Sequence, residues 1–580
     1  MHTLTRWLII LSLFLPNIVN ALEIKTHRTI NEKVGKVQTP SGFTLDNYLI
    51  NNLGFSNGIN EEISDSSGKK QYVYMWLSDG GEFEDVPHWY LMYLRSKNHF
   101  HNPINEQGFS GIWDTEFLSG ISAINWALLP QNMQSPGGYY SWADVRSYYL
   151  KALTLGTKTE RDINFAQTFR GLGQLMHLVQ DMSVPEHTRN DGHYLPFTGY
   201  ENWVKGNPGS VNTAAAAPAF FTGSISSIKS FMDTDTYTGS NPEVTAYSTI
   251  GLSEFSNANF FSDDSIFTGF TYPSVAGATL WTDTTNNRQY LKKTTEGVPI
   301  EHLATSSWLY FYRWQKFPQY SEWLPLGLDS KVYSDYAALL LPRAVGYSAG
   351  LLNYFFRGKI DMIKESSNSN QYIIKNLSNE NMAGTFSLYY DDANDNRYLA
   401  ASWRNLAINA NNQSSPVTFT APSFPAPKEK GKYVLVFQGT FGNESGAVMG
   451  KVVEGLCAGQ WVETGACGHR WRDLMGNLCI PYSETIDGKY KYGCISQYGP
   501  DCWTEGKCVD GDGNCRTRAW CDENGKTNPP CEDECCICND YNCSGIMSNV
   551  TQSLCYHTPF SDQYGACFIS IARVSKWVCP

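Results

Sequence analysis

At 580 residues the chain is too long for one hydrophobic core, so two to four domains are expected. A hydrophobic share of 42% beside 17% charged residues excludes a disordered chain. The formal net charge of −12, with no run of Lys or Arg, argues against a duplex-DNA binder, which needs a basic stripe to meet phosphates.

In chain order, a secretory signal comes first. Arg6 flanks the apolar run Trp7 to Leu15, Pro16 breaks it, and Val19-Asn20-Ala21 offers a cleavage site. The run fits a membrane-spanning helix poorly, being too short. Cleavage after Ala21 predicts an exported chain, extracellular or periplasmic, that begins at Leu22. Residues 22–362 carry helical periodicity. The clearest helix is Asp162 to Asp181, where Ile163, Phe165, Ala166, Phe169, Leu172, Leu175, Met176 and Val179 recur at three- and four-residue intervals. Pro185 stops it. A second helix is expected from Ser334 to Phe356. Between them, Gly206 to Thr285 is rich in Ser, Thr, Gly, Asn and Ala and reads as long loops or an insertion.

Residues 363–455 read as an all-β sandwich. Thr385 to Tyr390 alternates before the turn Asp391-Asp392-Ala393-Asn394, and Val417 to Thr420 and Tyr433 to Phe437 are further strands. All 16 cysteines fall between Cys457 and Cys579. In an exported chain this predicts a small disulfide-rich domain over 456–580, and the cluster from Cys531 to Cys543 reads as disulfides before zinc.

Chemistry concentrates upstream of the β region. His177 and Asp181 stand at i and i+4, so both leave one face of the long helix. His187 follows just past Pro185, where the chain turns back, and Asp191, His193 and Glu201 come within fourteen residues of it. Upstream, Asp85 precedes His99 by fourteen positions, and His27 is the sixth residue of the mature chain. Imidazole and carboxylate are the donors that zinc prefers in hydrolytic sites. A lone His-x3-Asp pair is weak, but several of the chain's 11 histidines fall in these short polar clusters.

These residues resemble the bacterial zinc-dependent phospholipases C, which share a fold with the single-strand-specific zinc nucleases. The resemblance covers about Leu22 to Phe356 and is strongest from Glu84 to Val204. It implies an all-α domain of the phospholipase C/nuclease type holding up to three zinc ions. Leu22, through its free amine and carbonyl, and His27 match one end of that ligand set. Asp85, and His99 in His-Phe-x-x-Pro, match the family's acid and histidine. His177 and Asp181 match its helical pair, Asp181 bridging two ions. His187, His193 and Glu201 match the rest. Tyr200-Glu201-Asn202-Trp203-Val204 follows the phospholipase version, whereas the nucleases carry Asp at the position of Glu201. Asp85 is implied as general base besides ligand.

Two departures stand out. The family usually starts with Trp, not Leu, although the ligating atoms there are main-chain. Its last histidine sits four residues before its Glu, where this chain has Phe197, so either that zinc is short of a ligand or a loop brings His193 back, the reading that Pro196 and Gly199 favour. His88 and His101 match no motif and are expected in supporting or surface roles. Asp510-Gly-Asp512-Gly-Asn514 opens like a calcium loop, but Cys521 replaces the Glu at its twelfth position, which favours a turn between disulfides.

The expected reaction is hydrolysis of a phosphodiester, with a phospholipid as substrate and transient contact with a membrane surface. A single-strand nuclease and a non-enzymatic surface or adhesion protein with a metal-stabilised domain are the alternatives. Oligomeric state is open.

Overall fold

The computed structural model describes residues 24–85, 92–111, 119–192, 199–263, 270–306, 326–365, 371–392, 394–419 and 432–453, with backbone alone for several strands between 460 and 578. The signal segment, Leu22, His88, His193, residues 510–514 and the cysteine pairing lie outside the described residues. The chain divides into two compact units, residues 1–424 with 432–454, and residues 425–431 with 455–580.

The first unit is mainly helical up to residue 355. Its main helices are α1 (Ile24–Val34), α2 (Val73–Phe83), α3 (Met92–Ser96), α4 (Trp142–Thr154), α5 (Lys158–Asp181), α6 (Pro185–Thr188), α7 (Tyr200–Gly206), α8 (Pro208–Ala216), α9 (Leu252–Asn259) and α10 (Ser330–Phe355). Helix α5 starts four residues before its apolar stripe. The cause is a capping box, in which Thr157 Oγ1 accepts from Glu160 N and Glu160 Oε2 accepts from Thr157 N. From Gly171 onward every residue of α5 is buried, so the helix runs through the core rather than along its surface. Asp329 caps α10 by accepting from Lys331 N and Val332 N.

The helices α2 and α5 cross at glycines. A Cβ on Gly80 would lie 2.1 Å from the Arg170 carbonyl oxygen, and one on Gly173 would lie 2.2 Å from that of Leu77. Only bare backbone permits this approach. It brings the carboxyl end of α2 against the last turns of α5, where the chemistry lies.

The all-α expectation for 22–362 needs correction. Residues 278–327 contain a four-stranded antiparallel sheet, β3 (Ala278–Asp283), β4 (Arg288–Lys293), β5 (Ile300–Ser306) and β6 (Leu326–Gly327), besides the small hairpin of β1 (Glu62–Ser64) and β2 (Lys70–Tyr72). The Thr284-Thr285-Asn286-Asn287 turn forms because Asp283 Oδ1 accepts from Thr285 N and Asn287 takes a positive φ of 56°. The Ser/Thr/Asn-rich stretch before it is also more regular than loops, holding α8 and α9.

Two antiparallel sheets follow. One has the order β10 (Arg397–Ile408), β9 (Met382–Asp391), β13 (Lys432–Phe441), β14 (Glu444–Val453). In the other, β8 (Gln371–Asn376) pairs with β7 (Ile360–Lys364), β11 (Asn412–Gln413) and β12 (Val417–Thr418). The expected turn after Asp391 is present, with Asp392 Oδ1 accepting from Asn394 N and Asn396 N. In the second unit, Gly565–Val578 pairs on its two sides with Gln460–Gly468 and Gln552–Asp562.

Candidate metal centre

Four elements converge on one buried point. Helix α1 carries His27. Asp85 lies two residues past the end of α2, after Glu84. His99 follows the short helix α3. The last turn of α5 presents His177 and Asp181 on one face, as the i, i+4 spacing requires. The chain then turns through Met182 to Val184, and Pro185 opens α6, which carries His187. His101 N donates to the His187 carbonyl, and the Phe100 ring stacks on His187 at 4.4 Å. Glu201 comes from the first turn of α7. All of these site residues are buried.

Their spacing is the telling quantity. Asp85 Oδ1 lies 3.4 Å from His99 Nδ1 and 3.6 Å from His177 Nε2. Asp181 Oδ2 lies 3.2 Å from each of those nitrogens, which are 3.3 Å from one another. Zinc bonds of about 2.0–2.2 Å put neighbouring ligand atoms of a tetrahedron roughly 3.3–3.6 Å apart. The His99, His177 and Asp181 atoms form one triangle of this size, and the Asp85, His99 and His177 atoms form another on the shared histidine edge. Neither oxygen of Asp85 or of Asp181 accepts a well-formed hydrogen bond, although both residues are buried. Buried carboxylates are normally satisfied by donors, so this donor set fits a cation.

Two further pairs extend outward. His27 Nε2 stands 3.3 Å from Asp181 Oδ1, on the opposite oxygen from the cage. His187 Nε2 stands 3.4 Å from Glu201 Oε1, and its Nδ1 is 3.6 Å from Asp181 Oδ1. Asp181 thus lies between the cage and both pairs. Of the nine residues expected in the site, seven come together here, and Leu22 and His193 lie outside the described residues.

Crowding shifts the charges. Burial pushes the Asp85 carboxyl up to about 7, against the pull of His99 and His27, with Asp181 and Glu84 adding to the rise. Burial opposes charge on His99, but Asp181, Glu84 and Asp85 outweigh it and raise the ring to about 10. Asp181 is held well below the usual carboxylate range, because His177, His99 and His187 outweigh its burial.

Sequence reasoning missed the groups that hold these ligands. Glu84 sits 3.6 Å from His99 Nε2, on the far side from the cage. It is itself held by Arg95 Nη2 at 2.7 Å and Trp126 Nε1 at 2.9 Å. The Arg95 charge, working against burial, keeps Glu84 near 2. His177 Nδ1 donates to the Gly81 carbonyl at 2.7 Å, which leaves Nε2 free to face the cage. Gly80-Gly81 inside a helix was the available signal, since paired glycines there are costly unless backbones approach.

Of the supporting and surface roles expected for His101, its full burial excludes the surface one. With Glu106 and Asp233 it forms another group of possible metal donors. There, however, Nε2 and Asp233 Oδ2 are 2.7 Å apart and Nδ1 and Ser122 Oγ 2.8 Å, which are hydrogen-bond distances. Lys229 Nζ lies 3.3 Å from Glu106 and already supplies a positive charge. His101 stays outside the cage.

No protein-family model matches the chain, and no curated protein matches it. Two solved structures show a slight likeness. The alpha-toxin of Clostridium absonum is 11% identical, with 75% of this chain and 98% of that chain covered and a TM-score of 0.26. The alpha-toxin of Clostridium perfringens is 13% identical, with 74% and 89% covered and a TM-score of 0.20. Likenesses this slight decide neither fold nor function.

Proposed function

We propose that the chain is a secreted zinc-dependent phosphodiesterase of the phospholipase C type, freed of residues 1–21 before it acts. The observation that carries this reading is the buried cage of Asp85, His99, His177 and Asp181, with edges of 3.2–3.6 Å and carboxylates lacking hydrogen-bond donors. A divalent ion held there supplies Lewis-acid charge to a phosphate and acidifies water. The chain's own residues do the rest. His177 keeps its orientation through the Gly81 carbonyl, and Glu84 sets a negative charge 3.6 Å behind His99. Asp85 turns Oδ1 to the cage, and its Oδ2 is the atom we assign to take the proton of the attacking water.

His187 and Glu201 are assigned to a second ion, with His193 brought back by the loop before Gly199. Leu22 and His27 are assigned to a third. The phospholipid substrate, and the membrane surface that presents it, rest on Tyr200-Glu201-Asn202-Trp203-Val204, and the products would be diacylglycerol and a phosphorylated head group. The position of His27, sixth after the proposed cleavage, favours single-stranded nucleic acid instead. Elemental analysis of natively processed protein, with phosphatidylcholine and single-stranded DNA assayed in parallel, separates the two. Two to three zincs per chain with lipid cleavage are expected. Cleavage of DNA alone makes it a nuclease. Metal without cleavage of either substrate leaves the surface-protein reading, and fewer than two zincs with neither substrate cleaved sinks the enzyme.

A further inference from the structure

His27 presents a defined atom to the centre, and the reason lies behind it. Its Nδ1 is 2.8 Å from Gln180 Oε1, and both residues are fully buried. Whether that contact fixes the imidazole depends on which end of the Gln180 amide faces it, because oxygen and nitrogen ends look alike. The surroundings settle this end by end. Asn31 Nδ2 donates to two carbonyl oxygens, Leu77 O and Gly173 O, each at 3.0 Å. A carbonyl oxygen only accepts, so the nitrogen of Asn31 must point there and its Oδ1 must point the other way. That Oδ1 meets Gln180 Nε2 at 2.7 Å. Gln180 therefore shows its nitrogen to Asn31, with Ser348 Oγ of α10 as second partner at 3.1 Å, and its oxygen to His27. An oxygen there requires hydrogen on Nδ1. Nε2 is left with its lone pair, 3.3 Å from Asp181 Oδ1.

We propose that Gln180 is a positioning residue. Through Asn31 it transmits the polarity of two backbone carbonyls, one on α2 and one on α5, into the tautomer of His27, so that Nε2 always faces the centre as a donor to metal. The relay depends on the glycine crossing, since Gly173 supplies one of the two carbonyls and approaches Leu77 O closely. It also requires Gly81, where a Cβ would stand 2.6 Å from Asn31 Nδ2. Carbonyl or carboxylate partners behind metal-binding histidines act in this way generally. Here the partner is a neutral amide whose direction is imposed from two residues away.

The inference rests on the metal-centre reading in one respect, that a cation is what Nε2 faces. The experiment uses the full chain, natively processed, with two readouts. Nitrogen-15 shifts of the His27 ring in the metal-free protein report the tautomer. Zinc titration against a competing chelator reports the affinity of each ion. Wild type is expected to hold His27 as the Nδ1–H form. Gln180→Leu should mix the two tautomers and weaken one ion roughly 10- to 100-fold, leaving the others in place. Gln180→Glu loses the donor to Asn31 Oδ1 but still accepts from Nδ1–H, so it should restore the tautomer. Asn31→Ala frees the Gln180 amide to turn and should shift the tautomer part of the way, which keeps the test open where Gln180→Leu does not fold. Unchanged tautomer populations in Gln180→Leu or in Asn31→Ala overturn the proposal. Wild type that binds no zinc sinks the hydrolase reading, while the tautomer in the metal-free chain still answers for Gln180.

Discussion

Two polar clusters in the first unit, each centred on buried carboxylates, differ in how those carboxylates are satisfied. Around Glu444, at the start of β14, every oxygen lone pair has an owner. Oε1 accepts from Arg146 Nε at 2.8 Å and Trp142 Nε1 at 2.9 Å, and Oε2 accepts from Arg146 Nη2 at 3.1 Å and Arg357 Nη1 at 2.6 Å. This clamp ties α4 and the end of α10 to the β region, and the two guanidinium groups hold Glu444 below its usual range despite burial. Around Asp85 and Asp181 the neighbours stand at 3.2–3.6 Å and the carboxylates accept no well-formed hydrogen bond. The first cluster is finished by the fold. The second is left open by the fold, with donors that could hold a cation.

That difference predicts opposite responses to removing a carboxylate. Glu444→Ala leaves the buried Arg146 guanidinium without a carboxylate, and Arg357 with Glu380 alone, and should cost about 3–5 kcal/mol, read from chemical denaturation. An unchanged midpoint would refute the clamp. Asp85→Asn should do the reverse in metal-free protein. It removes a buried charge without hydrogen bonds, so at pH 8 the metal-free variant is expected to melt roughly 2–4 °C above metal-free wild type. The same variant should bind less zinc and lose activity. A lower melting temperature in the metal-free state would mean that Asp85 is already satisfied by the protein.

The smallest effect tests an intermediate case. Lys293 is fully buried and donates to neutral oxygens, Asn259 Oδ1 at 2.8 Å and Glu296 O at 3.1 Å. Burial holds its amine down to about 7, against an ordinary 10.5. Between those values the folded chain binds fewer protons than the unfolded one, so stability rises with pH across that window. Lys293→Met should flatten that rise, seen as a smaller change in melting temperature from pH 7 to pH 10. An equal slope in variant and wild type removes Lys293 as its source.

Much of the centre was legible from residue spacing. His177 and Asp181 had to share a face because a helix repeats every 3.6 residues, and Pro185 had to end that helix. Asp85 and His99 were reached only through their resemblance to a known motif, because nothing local says that residues fourteen apart meet. Glu84 was passed over as one more acid, and its role appears only with Arg95 and Trp126 beside it. The sheet of 278–327 was hidden by Ser, Thr and Asn, whose local hydrogen bonds make turns and mask short strands.

By itself the sequence determined the helix that carries the centre, its proline stop and the identity of the donors. These follow from local periodicity and from side-chain chemistry that does not depend on neighbours. Only the tertiary structure decided that α2 and α5 cross at Gly80 and Gly173, and hence that His27, Asp85 and His99 reach one cage. It also decided that Asn31 and Gln180 fix which nitrogen His27 presents. The physical reason is that close approach and hydrogen-bond direction are properties of pairs distant in sequence, set when backbones meet and not before.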